Sequence, residues 1–167
     1  MGEKDKQVIC LVGVSGSGKS TIAENILKNN HNYLRINRDD IRKTLVGSLD
    51  GYYQRKDLNR IECHINGLEE DFFNSIIGLD KSIIIDNTNL KQSYLNRWIQ
   101  LSQNTNYHIE YKLFDISLEK AIERVIIRDV PEDTSNFDAS YINKQIEQYK
   151  SIKQYLLTYH ADQIIYE

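Results

Sequence analysis

The stretch Gly13–Ser20, GVSGSGKS, constrains what this chain can fold into more than any other segment. It has the form G-x-x-x-x-G-K-[ST]. The continuous apolar run QVICLV (Gln7–Val12) precedes it, and TIAENILK follows, with Ile22, Ile26 and Leu27 at helical spacing. A buried strand that turns through glycines into a helix presents backbone N–H groups at the positive end of the helix dipole, a cradle for a β-phosphate. Lys19 then supplies a point charge to the β and γ oxygens of a nucleoside triphosphate, and Ser20 a hydroxyl ligand for Mg²⁺. Gly13, Ser15, Gly16, Ser17, Gly18, Lys19, Ser20 and Thr21 are therefore the candidate ATP-binding residues.

The remaining pattern alternates strands with helices. Tyr33–Ile36 reads as a short strand leading into NRDDIRKTLV, where Asn37 is placed to cap a helix and Asp39 and Asp40 sit in its first turn, favourable to the dipole. Gly47–Gly51 is a turn. Leu58, Ile61, Ile65, Leu68, Phe72 and Ile76 then repeat at three- and four-residue steps, predicting one long amphipathic helix packed on the sheet. Ser82–Ile85 is an apolar, β-branched strand ending at Asp86, followed by a loop NTN and a helix through Tyr94, Leu95 and Trp98. Tyr107–Phe114 alternates as a strand and Leu118–Arg128 reads as a helix.

DVPEDTSNFD, with the only proline, interrupts the pattern and is a candidate lid over about residues 128–138. A last helix runs from about Asp138 to Tyr159 with Ile142, Ile146, Tyr149, Ile152 and Leu156 on its core face, and Gln163–Tyr166 can add a short strand. The expectation is an α/β fold of the P-loop NTPase type: a parallel sheet with helices on both faces and a C-terminal lid, one domain over 1–167. Ligands gather at the carboxyl ends of strands in such sheets, where Gly13, Asn37–Asp40 and Asp86–Asn89 all fall.

Composition narrows the function classes. A net charge of -3 and a pI near 5.8 exclude a uniformly basic coat for nucleic acid. A local surplus exists between Arg35 and Arg60, where seven bases (Arg35, Arg38, Arg42, Lys43, Arg55, Lys56, Arg60) face four acids (Asp39, Asp40, Asp50, Asp57); it reads either as a polyanion-binding groove or as a solvated helix face. Cys10 and Cys63 fall inside apolar patterns and read as small buried hydrophobes in a reducing, cytoplasmic setting. The N-terminal MGEKDKQ is too charged for a signal peptide, and no apolar run approaches membrane-spanning length.

The chemistry-bearing candidates follow from position. Asp86, closing an apolar strand, stands where a carboxylate holds the Mg²⁺ shell, with a turn-forming Asp as the alternative. Asp39 and Arg42 are three residues apart on one helical face, so an acid can meet a nucleophilic hydroxyl while a guanidinium clamps a neighbouring phosphate; first-turn acids in an ordinary i, i+3 ion pair give the same spacing. Arg124 and Arg128, four apart before the lid segment, mutually repel unless an anion lies between them, and pairing with Glu123 or simple solvation is the other reading. His64 reads as a helix-surface histidine and Glu69–Asp71 as a solvated face.

Taken together these motifs resemble the phage-type 5′-hydroxyl polynucleotide kinases over nearly the whole chain. GVSGSGKST is similar to that family's P-loop, INRDDIR (Ile36–Arg42) to its acceptor motif, and TNL (Thr88–Leu90) and the Arg124/Arg128 pair also recur in it. The resemblance implies transfer of the γ-phosphoryl group of ATP·Mg²⁺ to the 5′-OH of DNA or RNA. It makes Asp39 the general base and Lys19, Arg124 and Arg128 catalytic through the donor phosphates. Arg42 becomes the clamp on the acceptor phosphate, with Arg38, Asn87 and Thr88 as further acceptor-binding candidates, while Ser20 and Asp86 stay the metal-ligand candidates that their positions suggest. In the phage enzyme an Asp directly precedes the TN pair; here Asn87 does, and Asp86 lies one residue earlier. The phage member also carries a 3′-phosphatase domain beyond its kinase domain, where this chain ends, so a repair pathway is expected to use a separate phosphatase and ligase. A small-molecule kinase or a P-loop switch or toxin would share the donor half of this reading.

Overall fold

The computed structural model describes residues 6–129 and 137–165. Strands β1 (Gln7–Val12), β2 (Tyr33–Ile36), β3 (Ser82–Ile85), β4 (His108–Leu113) and β5 (Ile164–Ile165) form a five-stranded sheet in the order β2-β3-β1-β4-β5. Every ladder in it is parallel. Between and after the strands come helices α1 (Lys19–Asn29), α2 (Arg38–Val46), α3 (Leu58–Gly78), α4 (Gln92–Gln103), α5 (Leu118–Asp129) and α6 (Ser140–Tyr159).

Successive strand side chains point to opposite faces, and here both faces are apolar, as a parallel sheet covered on two sides requires. Val8, Cys10 and Val12 of β1 and Ile83 and Ile85 of β3 enter the larger core with Phe73, Trp98, Val125 and Ile152 from α3, α4, α5 and α6. Ile9, Leu11 and Ile84 turn the other way onto Ala23 of α1, flanked by Ile26 and Leu27. Phe73 and Trp98 stack at 5.9 Å between ring centroids, a contact worth about 1 kcal/mol beyond the area it buries.

The chain leaves β1 for β2, returns to β3 beside β1, and only then crosses to β4 on the far side. That reversal opens a crevice at the carboxyl ends of the central strands. The loops after β1, β2 and β3 all open into it. Asn37 caps α2 as expected, its side-chain oxygen accepting from the Asp40 amide at 3.0 Å.

Four expectations are corrected. The buried stripe of α3 is Ile65, Glu69, Phe73 and Ile76, while Phe72 is 47% exposed. A wholly apolar reading steps from Leu68 to Phe72, but the real stripe runs through an acid whose charge is neutralised inside. Glu69 is accordingly 1% exposed and no part of a solvated face. Cys63 also lies on the exposed side of α3; Cys10 alone of the two is buried, with burial pushing its thiol well up. The start of α6 falls at Ser140, with Asp138 just outside the helix accepting from the Ser140 amide at 2.8 Å; its end at Tyr159 is as expected. Of the expected lid, residues 130–136 lie outside the described residues.

Candidate active site

A cleft of about 1370 Å³ occupies the crevice. One wall is the loop after β1. Gly16 adopts φ 77°, and a Cβ there would meet the Ala121 carbonyl oxygen at 2.6 Å, so the loop needs glycine both for its turn and for its approach to α5. A Cβ on Gly13 would meet Ser17 Oγ at 2.7 Å and Phe114 Cβ at 2.8 Å; Gly13 supports the loop from behind, whereas Ser15–Thr21 line the cleft. Lys19 folds over the loop, its Nζ donating to the Val14 carbonyl at 2.7 Å and to Ser17 Oγ at 3.3 Å. Burial lowers its ammonium to about 8, partly offset by the charges of Asp86 and Asp39, with Arg128 acting in the same direction as burial.

Asp86 closes β3 at the floor, 2% exposed. Ser20 Oγ donates to its Oδ1 at 3.3 Å, Asn37 Nδ2 to its Oδ2 at 3.2 Å, and Arg35 approaches the same oxygen at 3.4 Å. Burial raises its carboxyl above the usual range while Ser20, Arg35, Lys19 and Asn37 pull it back. A hydroxyl and a carboxylate in contact, facing a phosphate cradle, form the sparse oxygen set that suits Mg²⁺, which keeps most of its waters and takes the rest of its ligands from phosphate. Among the described residues no group of three or more His, Cys, Asp or Glu forms a dedicated cage for a metal.

The opposite wall is built from α2, α3 and the loop after β3. Asp39 presents a carboxylate that is 56% exposed and accepts from Arg42 at 2.6 Å. Arg42 in turn donates through Nε and NH2 to the two oxygens of Glu62, at 2.9 and 3.0 Å. Burial opposes the Arg42 charge, but hydrogen bonds to Glu62 and Asp39 outweigh it and hold the guanidinium firmly ionised. Glu62 also accepts from Tyr52 Oη at 2.5 Å and from Arg38 NH2 at 2.7 Å. Burial works against its charge too; the Arg42, Tyr52 and Arg38 hydrogen bonds prevail and hold its carboxyl at about 2.

Glu69 is the second anchor. It accepts from Arg38 at 2.5 Å, Arg97 at 3.0 Å and Asn87 Nδ2 at 2.9 Å. Asn87 completes the circuit, its Oδ1 accepting from the Arg38 amide at 2.8 Å. Its amide thus ties α2 to α3, a junction that needs a donor as well as an acceptor and that a carboxylate at this position would lack. The neighbouring Thr88 lines the cleft and its carbonyl accepts from the Gly13 amide at 3.1 Å. Asn89, buried at φ 50°, donates to the Leu11 carbonyl at 2.8 Å and fastens the loop to β1.

From α5, Arg124 donates to the Gly16 carbonyl at 3.3 Å and Arg128 pairs with Asp129 at 2.5 Å. Both line the cleft. Among the described residues neither pairs with Glu123.

A family model described as an AAA domain matches residues 8–152. The chain belongs to this AAA-domain family. It is 30% identical over 157 residues to a protein of Autographa californica nuclear polyhedrosis virus that carries the name bifunctional polynucleotide kinase/RNA ligase, across 90% of this chain and 22% of that protein. A chain of the Pnkp1/Rnl/Hen1 RNA repair complex superposes with TM-score 0.75 at 26% identity, covering 92% of this chain and 47% of the other. A deoxyadenosine kinase from M. mycoides shares the fold, with TM-score 0.62 at 17% identity over 95% of this chain and 88% of its own. The AAA-domain chain therefore spans about a fifth of the length of the first relative and just under half of the second.

All the sequence-expected site residues of this AAA-domain chain lie on or directly behind one cleft. The sequence reading did not single out Glu62 or Arg97, and it placed Glu69 on a solvated face. Glu62 and Glu69 stand seven residues apart at helical spacing on α3, but burial of an acid shows in sequence only when its partners are known.

Proposed function

We propose that the protein is a polynucleotide 5′-hydroxyl kinase that moves the γ-phosphoryl group of ATP to the 5′-OH of a DNA or RNA strand. The observation that carries this reading is the Asp39–Arg42 pair, set in the same cleft as Lys19 and close enough for Asp39 to affect the Lys19 ammonium. Phosphoryl transfer needs a donor cradle, an acid to take the nucleophile's proton, and cations on either side of the transferred group.

In the proposed reaction the loop Gly13–Thr21 holds the triphosphate and Lys19 neutralises its β and γ oxygens. Asp39 accepts the 5′-hydroxyl proton as that oxygen bonds to Pγ, and the bond from Pγ to the β–γ bridging oxygen breaks to release ADP. Arg42 and Arg38 grip the phosphate that follows the terminal nucleoside; Asn87 sets the Arg38 backbone, and Thr88 lines the same wall. Arg124 and Arg128 face charge developing on the transferred group. Ser20 and Asp86 would hold Mg²⁺, whose positive charge would offset that of the triphosphate during transfer. The names borne by the baculoviral relative and the RNA repair complex support a nucleic-acid acceptor, and with it a place in end repair beside RNA-ligase activity.

The test incubates γ-labelled ATP and Mg²⁺ with the protein and a panel of 5′-hydroxyl oligonucleotides, a nucleoside and a nucleoside monophosphate. Label on oligonucleotides is expected. Label confined to the small acceptors would keep the donor half and replace the acceptor half with a small-molecule pocket.

A further inference from the structure

On the acceptor wall, the cleft continues past Arg38 along the first turns of α4, where Lys91, Tyr94, Arg97 and Trp98 line it. Tyr94 is 37% exposed, and its ring is flanked by two cations, the Arg38 guanidinium at 5.9 Å and the Lys91 ammonium at 5.5 Å from its centroid. Arg97 is fixed from below by Glu69 and lies over the buried Trp98 ring at 4.9 Å. Lys91 is exposed and makes no ion pair among the described residues. An aromatic face between cations on the wall of a cleft has the chemistry of a single-strand subsite, where a base stacks on the ring and the charges meet its phosphate.

Resting on the kinase reading above, we propose that Tyr94, Lys91 and Arg97 form a second acceptor subsite, which takes the nucleotide immediately downstream of the one being phosphorylated. Arg38 connects the two. It reaches Glu62, the Arg42 partner, on one side and the Tyr94 ring on the other, so it sits between the terminal nucleotide and the next. Tyr53 cannot serve this role, because its ring belongs to the opposite flank, over which Arg42 lies at 6.0 Å. The subsite favours an unpaired 5′ end, since a base that stacks on Tyr94 has left its own helix. It makes a dinucleotide the smallest acceptor with full affinity.

The experiment measures KM and kcat for the full chain with a nucleoside 3′-monophosphate and with single-stranded 5′-hydroxyl acceptors of two, three and six nucleotides, for wild type, Tyr94→Ala, Tyr94→Phe and Lys91→Ala. Wild type is expected to show a drop in KM of about tenfold between the mononucleotide and the dinucleotide, and little beyond. Tyr94→Ala should abolish most of that drop while leaving the mononucleotide KM and the ATP KM unchanged. Tyr94→Phe should restore it, and Lys91→Ala should lose a few-fold. A length dependence that survives in Tyr94→Ala, or a KM rise equal for mononucleotide and dinucleotide, overturns the subsite while leaving the kinase. Wild type that labels no polynucleotide overturns the kinase reading and the subsite with it.

Discussion

The two walls of the cleft are made in opposite ways. The donor wall is mostly backbone: one contiguous loop with a positive-φ glycine against the Ala121 carbonyl, one lysine and one hydroxyl. The acceptor wall is almost wholly side chain, three arginines from α2 and α4 held in place by Glu62 and Glu69 of α3. A backbone cradle tolerates few changes of main-chain shape and fits one invariant group, a polyphosphate. A side-chain scaffold is adjustable residue by residue, which suits an acceptor that varies.

The largest effect that tests this division is expected from Asp39→Ala. Transfer should fall by about a thousandfold, the range for losing a positioned base, with ATP affinity intact; a matching loss of ATP binding would mean that the walls are not separable. Next, Glu69→Ala should cost about 3 kcal/mol in denaturant unfolding, because it strands the buried ends of Arg38 and Arg97. An unchanged midpoint would show that the acceptor wall has no internal scaffold. Gly16→Ala is the donor counterpart, about 2 kcal/mol from forced left-handed backbone and the clash with the Ala121 oxygen, together with a raised ATP KM and an acceptor KM that stays put.

The Glu62 carboxyl gives a pH signature. Held at about 2 when folded and near 4.5 when unfolded, it binds more protons in the unfolded state between those values. Its stabilisation is complete above pH ~4.5 and disappears as pH falls towards 2, amounting to about 2 kcal/mol after allowing for its partial exposure. Stability measured from pH 6 down to 3 should fall less steeply in Glu62→Gln, and an identical slope would remove Glu62 as the anchor. Smallest is Arg42→Ala, a rise of about tenfold in acceptor KM with ATP KM constant; unchanged acceptor KM would leave Arg42 as an ordinary partner of Asp39.

The same contrast explains what could be read from the chain. The donor wall was legible because its parts are contiguous and its glycines have a single geometric use. The sheet was legible because β1 and β3 are apolar on both faces. On the acceptor wall only the members within one turn of each other, Asp39 with Arg42, appeared as a pair. Glu62 and Glu69 meet their arginines across 24 and 31 residues of chain, a separation at which spacing carries no information. Glu69 also defeated the periodic reading of α3, since a buried acid looks polar until its partners are in view. The exposed Cys63 followed from the same misplaced stripe.

The half-buried Glu62 and the buried Glu69 act as built-in counterions. A phosphate that reaches Arg38 and Arg42 meets guanidiniums whose charge these carboxylates already partly neutralise, so its binding sets free few salt ions from solution. Acceptor binding should then weaken with ionic strength less steeply than its number of arginine contacts alone would dictate.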